Sequence, residues 1–143
     1  MDTPLLSSIL SYIESDSRNK IIFYKESISD ITPIDVGKLL AQALFNLKSE
    51  DRLPMRSTME LEKILNKAVF EHPRFGRVLA IANLGILFES ELKQNFYSII
   101  DSYSKNNLLF VEWDGAIDNN SLYFLSKENG IKININNISH IAV

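Results

Sequence analysis

Apolar residues return every three or four positions in four stretches of the chain, which predicts four amphipathic helices. These stretches cover residues 3–15, 32–50, 57–73 and 88–105. Capping signals mark the beginning of the first three: Thr3 before Pro4, Thr32 before Pro33 and Asp35, and Ser57 three positions before Glu60. Pro73 is expected to end the third helix, because proline cannot continue one.

Continuous apolar runs separate these helices and predict buried strands. They are KIIFYK at residues 20–25, the run at 77–84 and NLLFVEW at 107–113. After Trp113 the runs SLYFLSK, IKINI and ISHIAV are short and are separated by Asn, Asp and Gly, which predicts an antiparallel hairpin or meander. Strands that alternate with helices imply a mainly parallel sheet with helices on its faces. We therefore expect a single α/β domain over residues 1–143.

Charge narrows the classes of function. The chain of 143 residues has a formal net charge of −3 and an isoelectric point near 5.4. This balance lacks the basic surface that attracts a nucleic-acid backbone, so direct nucleic-acid binding is not expected. A local patch from Arg52, Arg56, Arg74 and Arg77 keeps a nuclease or DNA-binding module open as a third and less favoured class.

Cysteine, histidine and hydropathy also exclude several classes. The sequence has no cysteine, which excludes disulfides, thiolate metal sites and cysteine nucleophiles. Its two histidines, His72 and His140, lie far apart and outside any metal-ligand spacing, so each is expected to be a surface or capping imidazole. The N-terminal stretch lacks a signal-peptide pattern and no apolar run has the length of a membrane span. We expect a cytoplasmic protein without a metal or cofactor and without a membrane partner.

The tripeptide VGK at residues 36–38 is similar to the end of a P-loop. A P-loop requires a glycine five residues before Gly37 and a Ser or Thr after Lys38, but Thr32 and Leu39 occupy these positions. Gly37 also falls inside the predicted helix, where its amide cannot help to form a phosphate nest. We therefore interpret Gly37 as a point of close packing.

The end of the run at residues 77–84 provides the second test for a nucleotide site. A Walker B strand ends in an aspartate that holds Mg²⁺ through water, whereas this strand ends in Ala82 and Asn83. An amide is a poor Mg²⁺ ligand and cannot act as a general base. Asn83 is therefore expected to satisfy loop amides at the strand end.

The order of these segments resembles the small P-loop-type proteins encoded in BREX-type (type 3) anti-phage defence loci. In that family a Walker A segment, a Leu-rich helix and a capped second helix precede a strand of the type VVLLDNIELLFDPELK. A helix ending near LSRN and a strand of the type LVVAWNGSI then lead into a hairpin with Leu-x-Tyr. This chain has VLAIANLGILFESELK, YSKNNLLFVEWDGAI and NNSLYF in the same order, so the resemblance covers roughly residues 34–143.

The resemblance implies a three-layer, P-loop-NTPase-like core that has lost its nucleotide chemistry. Asn83 matches the asparagine that follows the family's Walker B Asp. Ala82 stands at the position of that Asp, and Gly85 stands at the position of its Glu. The Walker A segment has no counterpart in this chain.

Two functions are compatible with this pattern. The first is a non-catalytic, pseudo-NTPase-like subunit or adaptor of a multi-protein system such as anti-phage defence, acting through contacts with a larger protein or with itself. The alternative is a weak or composite NTPase completed by a partner chain, to which this chain contributes Lys38 and Asn83. The missing Walker A segment and Asp favour the first function, so no enzymatic activity is expected.

Two segments are candidates for interaction. EWDGAIDNN, which begins at Glu112, concentrates three carboxylates and Trp113; the carboxylates are expected to form a solvated turn rather than a cation site, and Trp113 to serve in packing or at an interface. The terminal run ININNISHIAV has Lys132 as its one charge. It is expected either to be covered by the sheet or, around Ile138, Ile141 and Val143, to offer an edge for β-addition by a partner.

Overall fold

The computed structural model describes residues 2–45, 52–124 and 130–143. In chain order they form α1 (Thr3–Glu14), β1 (Ile21–Tyr24), β2 (Ile34–Asp35), α2 (Val36–Phe45), α3 (Leu53–Ala68), β3 (Phe70–His72), β4 (Gly76–Ala82), α4 (Phe96–Tyr103), β5 (Leu108–Glu112), β6 (Ser121–Phe124), β7 (Ile131–Asn134) and β8 (Ile141–Ala142). Two short 3₁₀ helices, Gly85–Phe88 and Ser90–Leu92, lie between β4 and α4.

The main sheet has the strand order β2–β4–β5–β1–β8, and each of these neighbouring pairs is parallel. β3 pairs antiparallel with the start of β4. β1 lies inside the sheet, so that Ile22 has Phe110 of β5 on one side and Ile141 of β8 on the other. β6 and β7 form a separate antiparallel hairpin. The predicted α/β class, with a mainly parallel sheet and a C-terminal hairpin, is confirmed.

The two faces of the main sheet bury different apolar clusters. Side chains alternate between the faces along a strand, and in β1 the residues Ile21 and Phe23 belong to one cluster while Ile22 and Tyr24 belong to the other. The first cluster includes buried side chains of α2, α3, α4 and the β6–β7 hairpin. The second cluster is covered by α1. Helices thus lie on both faces, as expected from the alternation of strands and helices.

A tyrosine ties α1 to the sheet and to the C-terminal segment. The Tyr12 hydroxyl accepts a hydrogen bond from the Ile21 amide at 2.8 Å and donates to the Asn19 carbonyl at 3.0 Å. It also lies 3.2 Å from the hydroxyl of Ser139. Burial raises the pKa of this phenol above its ordinary value, which keeps it protonated and able to make these bonds.

The helix starts differ from those expected from the capping signals. Asp2, not Thr3, caps α1, since its carboxylate accepts from the Leu5 amide at 2.8 Å. Asp35 directly precedes α2 and caps it in place of Thr32. Ser57 does not cap α3, because that helix begins at Leu53 and the Ser57 hydroxyl donates to the Leu53 carbonyl inside it.

Four segments have a different structure from the predicted one. Residues 34–35 belong to the predicted second helix but form β2, which pairs with β4. The third helix ends at Ala68 instead of continuing to Pro73. Residues 70–72 form β3, which pairs antiparallel with β4 after a turn. The predicted helix at 88–105 is broken into a 3₁₀ segment and α4. ISHIAV does not extend the hairpin but returns to the main sheet, where β8 runs parallel to β1. The predicted continuation of the second helix through Leu47 and of a strand through residues 125–127 lies outside the described residues.

None of the described helices combines the length and hydropathy of a membrane span.

Candidate functional site

The carboxyl ends of the parallel strands gather the residues singled out from the sequence. β4 ends beside Asn83, β5 ends at Glu112 beside Trp113, and β2 leads directly into the first turn of α2. In open α/β sheets, ligands bind beyond this end of the strands. Two places there differ in chemistry, and we name them the β4 exit (Asp35, Gly37, Asn83) and the β5 exit (Glu112 to Gly115).

The β4 exit is a closed network of hydrogen bonds. Asn83 adopts a left-handed conformation, with φ at 55°, which turns its carbonyl toward α2. This carbonyl accepts from the Gly37 amide at 2.9 Å, and the Asn83 side chain donates to an Asp35 carboxylate oxygen at 2.7 Å. The Asn83 carbonyl therefore satisfies an amide of α2 rather than the loop amides that the sequence predicted for this residue.

Gly37 permits this close approach of α2 to the end of β4. A Cβ atom at residue 37 would lie 2.6 Å from the Asn83 side-chain nitrogen and 2.9 Å from its carbonyl oxygen. Both distances are shorter than real Cβ atoms tolerate, and the carbonyl belongs to the backbone. The interpretation of Gly37 as a close-packing point is confirmed.

The first turn of α2 uses its amides within the chain. The Lys38 amide donates to the Asp35 carboxylate at 2.9 Å, so that an anion of the chain itself occupies the positive end of the helix dipole. The hydrogen bond from the Lys38 amide and the one from the Asn83 side chain hold the pKa of Asp35 below its ordinary value of 3.8. The side chain of Lys38 is exposed and is not among the described residues that line the neighbouring cavity.

The β5 exit borders a cavity of about 370 Å³. Three polar residues, Asn83, Glu112 and Asp114, contribute to its lining together with apolar and aromatic residues. The complete lining comprises Asn83, Leu84, Gly85, Glu112, Trp113, Asp114, Gly115 and Phe124. The structure thus brings together Asn83 and Trp113, which are separate candidates in the sequence.

Trp113 is buried, with 4 % of its surface exposed. Its ring packs at 5.7 Å from that of Phe96 and meets the Phe88 ring edge-on at 6.1 Å. Its indole nitrogen Nε1 is buried without a hydrogen-bond partner among the described residues. Trp113 is therefore a core residue whose indole N–H has no acceptor among the described residues.

The carboxylates of EWDGAIDNN separate into two groups. Asp118 accepts from the amides of Asn120 and Ser121 and from the Tyr123 hydroxyl, so it shapes the turn before β6. Glu112 and Asp114 instead line the cavity. Within the described part of the chain, no cluster of three or more potential metal ligands is present.

The side chains of Tyr24 and Lys25 interact with residues of the β5 exit. Burial, with a smaller contribution from the Glu112 carboxylate, raises the pKa of Tyr24 to about 12. The ammonium of Lys25 donates to the main-chain carbonyl of Trp113 at 3.4 Å and to that of Gly115. The charge of Lys25 is thus directed to backbone oxygens of the β5 exit rather than to its carboxylates.

The predicted interaction residues of the C-terminal run differ in accessibility. Ile138 is 3 % exposed and belongs to the apolar core, so its side chain is not on the surface. Ile141 is half-buried in β8, and Val143 is 46 % exposed. Of these three residues, Val143 is the one with an exposed side chain.

The two histidines have local roles. His72 accepts from the Arg74 amide at 3.1 Å through Nδ1 and stacks on Phe75 at 4.3 Å. His72 is 7 % exposed, so the expectation of a surface side chain is wrong for this residue while the capping role holds. His140 lies 2.8 Å from the Ile138 carbonyl through Nδ1.

Sequence reasoning missed three participants at this end of the sheet. Lys25 and Phe124 come from the ends of β1 and β6 and carry no motif; only the three-dimensional fold brings them to β5. Asp35 fits the third position of a helix that begins after Thr32, but an Asp directly before an apolar helical repeat is also typical of an N-cap.

Comparison of the chain with protein families, curated proteins and solved structures finds no match in any of the three.

Proposed function

We propose that this chain is a non-catalytic, P-loop-like subunit or adaptor that acts by binding another protein chain, in a multi-protein system of the anti-phage defence type. The resemblance to the small BREX-type proteins suggests the system. The observation that carries the non-catalytic part is the hydrogen bonding of Asp35 and Asn83 to the first turn of α2.

That arrangement opposes phosphate binding in two ways. The amides of Gly37 and Lys38, which point from the helix start, already have acceptors in Asn83 and Asp35. A phosphate at this helix end would also meet the negative charge of Asp35, whose low pKa keeps it ionised at neutral pH. The strand end offers an amide in place of the carboxylate that binds Mg²⁺.

The edges of the main sheet support the protein-binding part. β8 is an edge strand of two residues, Ile141 and Ala142, and the amide of the following Val143 donates to the Phe23 carbonyl of β1 at 2.9 Å. By alternation, the amide and carbonyl of Ala142 point away from β1. These groups are available for strand addition by a partner.

The nucleotide part of the proposal is tested by calorimetry. The purified chain is titrated with ATP and with GTP, each with and without Mg²⁺. We expect no saturable binding, because the amides and the carboxylate needed for a phosphate and its metal are missing or occupied. A micromolar, Mg²⁺-dependent dissociation constant would contradict the proposal and favour the composite NTPase that uses Lys38 and Asn83.

The association part is tested at Ala142. Ala142→Pro removes the outward amide while the bonds of Ile141 and Val143 to β1 remain, since proline is tolerated on the open side of an edge strand. Ala142→Ser retains the amide and is the matched control. If β8 is the contact, light scattering and co-purification from the native host will show that the Pro variant alone loses self-association or its partner. Equal assembly of the two folded variants would exclude the β8 edge.

A further inference from the structure

We propose that a groove between α2 and α3 binds an acidic, amphipathic helix of a partner protein. The apolar side chains of that helix enter the groove, and its carboxylates pair with Lys63 and Lys67. The groove adjoins β2, which lies at the opposite edge of the main sheet from β8. This contact presupposes the protein-binding part of the proposed function, but it is independent of strand addition at β8.

Apolar side chains form most of the groove, which has a volume of about 410 Å³. Its lining comprises Ile34, Leu39, Lys63, Ile64, Lys67 and Ala68. Leu39 is 38 % exposed and belongs to neither apolar cluster of the described chain. Exposed apolar surface at a concave site is typical of a contact with another molecule.

Exposed apolar residues are concentrated on the two helices that form the groove. Seven large apolar residues are exposed in the described part of the chain, and four of them lie on α2 or α3. These four are Leu39, Phe45, Met55 and Met59. Met55 and Met59 are four residues apart, so they lie on one face of α3. Flexible methionine side chains adapt to the surface of a partner, which favours a protein-binding role for this pair of helices.

The charge beside the groove is positive, although the whole chain has a net charge of −3. α2 and α3 contain four basic and two acidic residues, which are Lys38, Arg56, Lys63, Lys67, Glu60 and Glu62. The Glu60 carboxylate is paired with Lys63 at 3.3 Å, and Glu62 lines a different cavity together with residues of α4. Lys67 has no ion pair within the described part of the chain. The groove therefore attracts carboxylates, and an acidic segment complements it.

A helix fits this groove better than a lipid surface does. A third helix packs its side chains between those of two neighbouring helices. Ile34, Ile64 and Ala68 are partly buried, so a protruding side chain reaches them more readily than a flat lipid surface. The stretch of α3 from Met55 to Lys67 is about 18 Å long, which matches a helix of about 12 residues.

The test uses a fluorescein-labelled peptide of about 14 residues, which has Leu at every third or fourth position and Glu, Gln and Ala elsewhere. One control peptide has Lys in place of Glu, and a second has the same composition with its Leu residues distributed around the helix. Fluorescence anisotropy measures binding to the purified chain. We expect saturable binding of the acidic peptide and about tenfold weaker binding of both controls. Equal affinities, or no binding of the acidic peptide at submillimolar concentration, would overturn the proposal.

A charge reversal tests the contribution of Lys67. Lys67→Glu is expected to weaken binding of the acidic peptide about tenfold and to strengthen binding of the basic peptide. Lys132→Glu reverses an exposed lysine of β7 and is the matched control, with no effect on either peptide. Unchanged binding by the folded Lys67 variant would refute the contact. Equal weakening in both variants would show a general effect of net charge and would also overturn the proposal.

A polar substitution tests the apolar surface of the groove. Leu39→Asp is expected to weaken binding of the acidic peptide about tenfold. Ile131→Asp is the matched control, because Ile131 is 44 % exposed but lies on the β6–β7 hairpin. Circular dichroism verifies that both variants are folded. Equal affinities of the two variants would show that the peptide does not enter the groove.

Two further measurements separate this contact from a lipid surface and from the β8 edge. The native chain is not expected to sediment with vesicles of phosphatidylserine and phosphatidylcholine; binding to vesicles without binding of the acidic peptide would assign the surface to lipid and overturn the proposal. Ala142→Pro is expected to bind the acidic peptide as the native chain does, and a loss in this variant alone would place the peptide at β8. If the acidic peptide does not bind while Ala142→Pro loses its partner, the adaptor function stands and the groove is excluded.

Discussion

The β4 exit and the β5 exit lie at the same end of one sheet but treat their polar groups in opposite ways. At the β4 exit, the amides of Gly37 and Lys38, the Asn83 side chain and the Asp35 carboxylate bond to one another. At the β5 exit, the Trp113 indole nitrogen has no described partner, and Glu112 and Asp114 are among the residues that line a cavity. At the β4 exit, the Asp35 carboxylate accepts a hydrogen bond at the helix start, which is where a P-loop protein binds phosphate. The β5 exit instead contains a polar group without a partner among the described residues.

This difference teaches that similar positions in a fold do not imply similar roles. A hydrogen-bonded network stabilises the packing of α2 on the sheet, and its loss should appear as lost stability. Unpaired groups next to a cavity contribute little to stability, and their loss should appear in binding. The predictions below test this division, beginning with the largest expected effect.

Truncation of Trp113 separates packing from hydrogen bonding at the β5 exit. Trp113→Ala removes a buried ring and should lower the free energy of unfolding by about 3–5 kcal/mol. Trp113→Phe should cost much less, because the donor that it removes has no described partner. Urea unfolding followed by circular dichroism measures both variants. Equal losses would show that the N–H is bonded in the folded protein.

A methyl group at residue 37 should disrupt the β4 exit. Gly37→Ala places Cβ against the Asn83 carbonyl and should destabilise the fold by about 1–3 kcal/mol. Gly85→Ala is the control, because its Cβ would meet only the Phe124 ring, at 3.0 Å and 3.3 Å. Urea midpoints compare the two. A Gly37 variant as stable as the Gly85 variant would show that α2 can move away from β4.

A carboxylate at residue 83 tests whether the strand end tolerates the residue of a nucleotide site. Asn83→Asp replaces the donor to Asp35 by a second carboxylate and should destabilise the protein at pH 7 by less than Gly37→Ala does. The loss should shrink toward pH 4, because one acid of the pair then becomes protonated. Thermal melts over this pH range measure it, and a loss that is independent of pH would contradict the electrostatic explanation.

The smallest expected effect is the acid dependence due to Asp35. Because its pKa is lowered by folding, its contribution to stability is present above its unfolded value near 3.8 and decreases as pH falls through the lower folded value. Asp35→Asn should therefore flatten the stability profile below pH 4 relative to the native chain. Asp16→Asn, in an exposed loop, should leave the profile unchanged. Parallel profiles for native and Asp35→Asn proteins would refute the role of this carboxylate.

The strands of the parallel sheet were predictable because they are continuous apolar runs. Residues 20–25 and 107–113 were placed within a residue or two of β1 and β5. The strands β3 and β8 could not be predicted, because pairing with other strands in the folded chain determines their structure. Phe70–His72 continues a helical pattern in sequence but becomes a strand because β4 offers it an edge, and β8 has the same composition as a hairpin strand but pairs with β1.

The site was predictable only where one residue carries the signal. The absence of a Walker B carboxylate at Ala82 and Asn83 could be seen directly, and the need for a glycine at residue 37 followed from its position in a helix. The cavity could not be predicted, because Asn83, Gly85 and Phe124 are distant from Trp113 in sequence and approach it only in the folded chain. A sequence does not record such distances between segments.

The position of β1 has a consequence for the order of folding. β1 precedes the other described strands, yet both of its neighbours, β5 and β8, come from beyond residue 107. During synthesis, the four buried residues of β1 therefore have neither flanking strand until more than eighty further residues have been added. Pairing over such long separations slows folding. β8, the last of the described strands, thus completes the surroundings of β1.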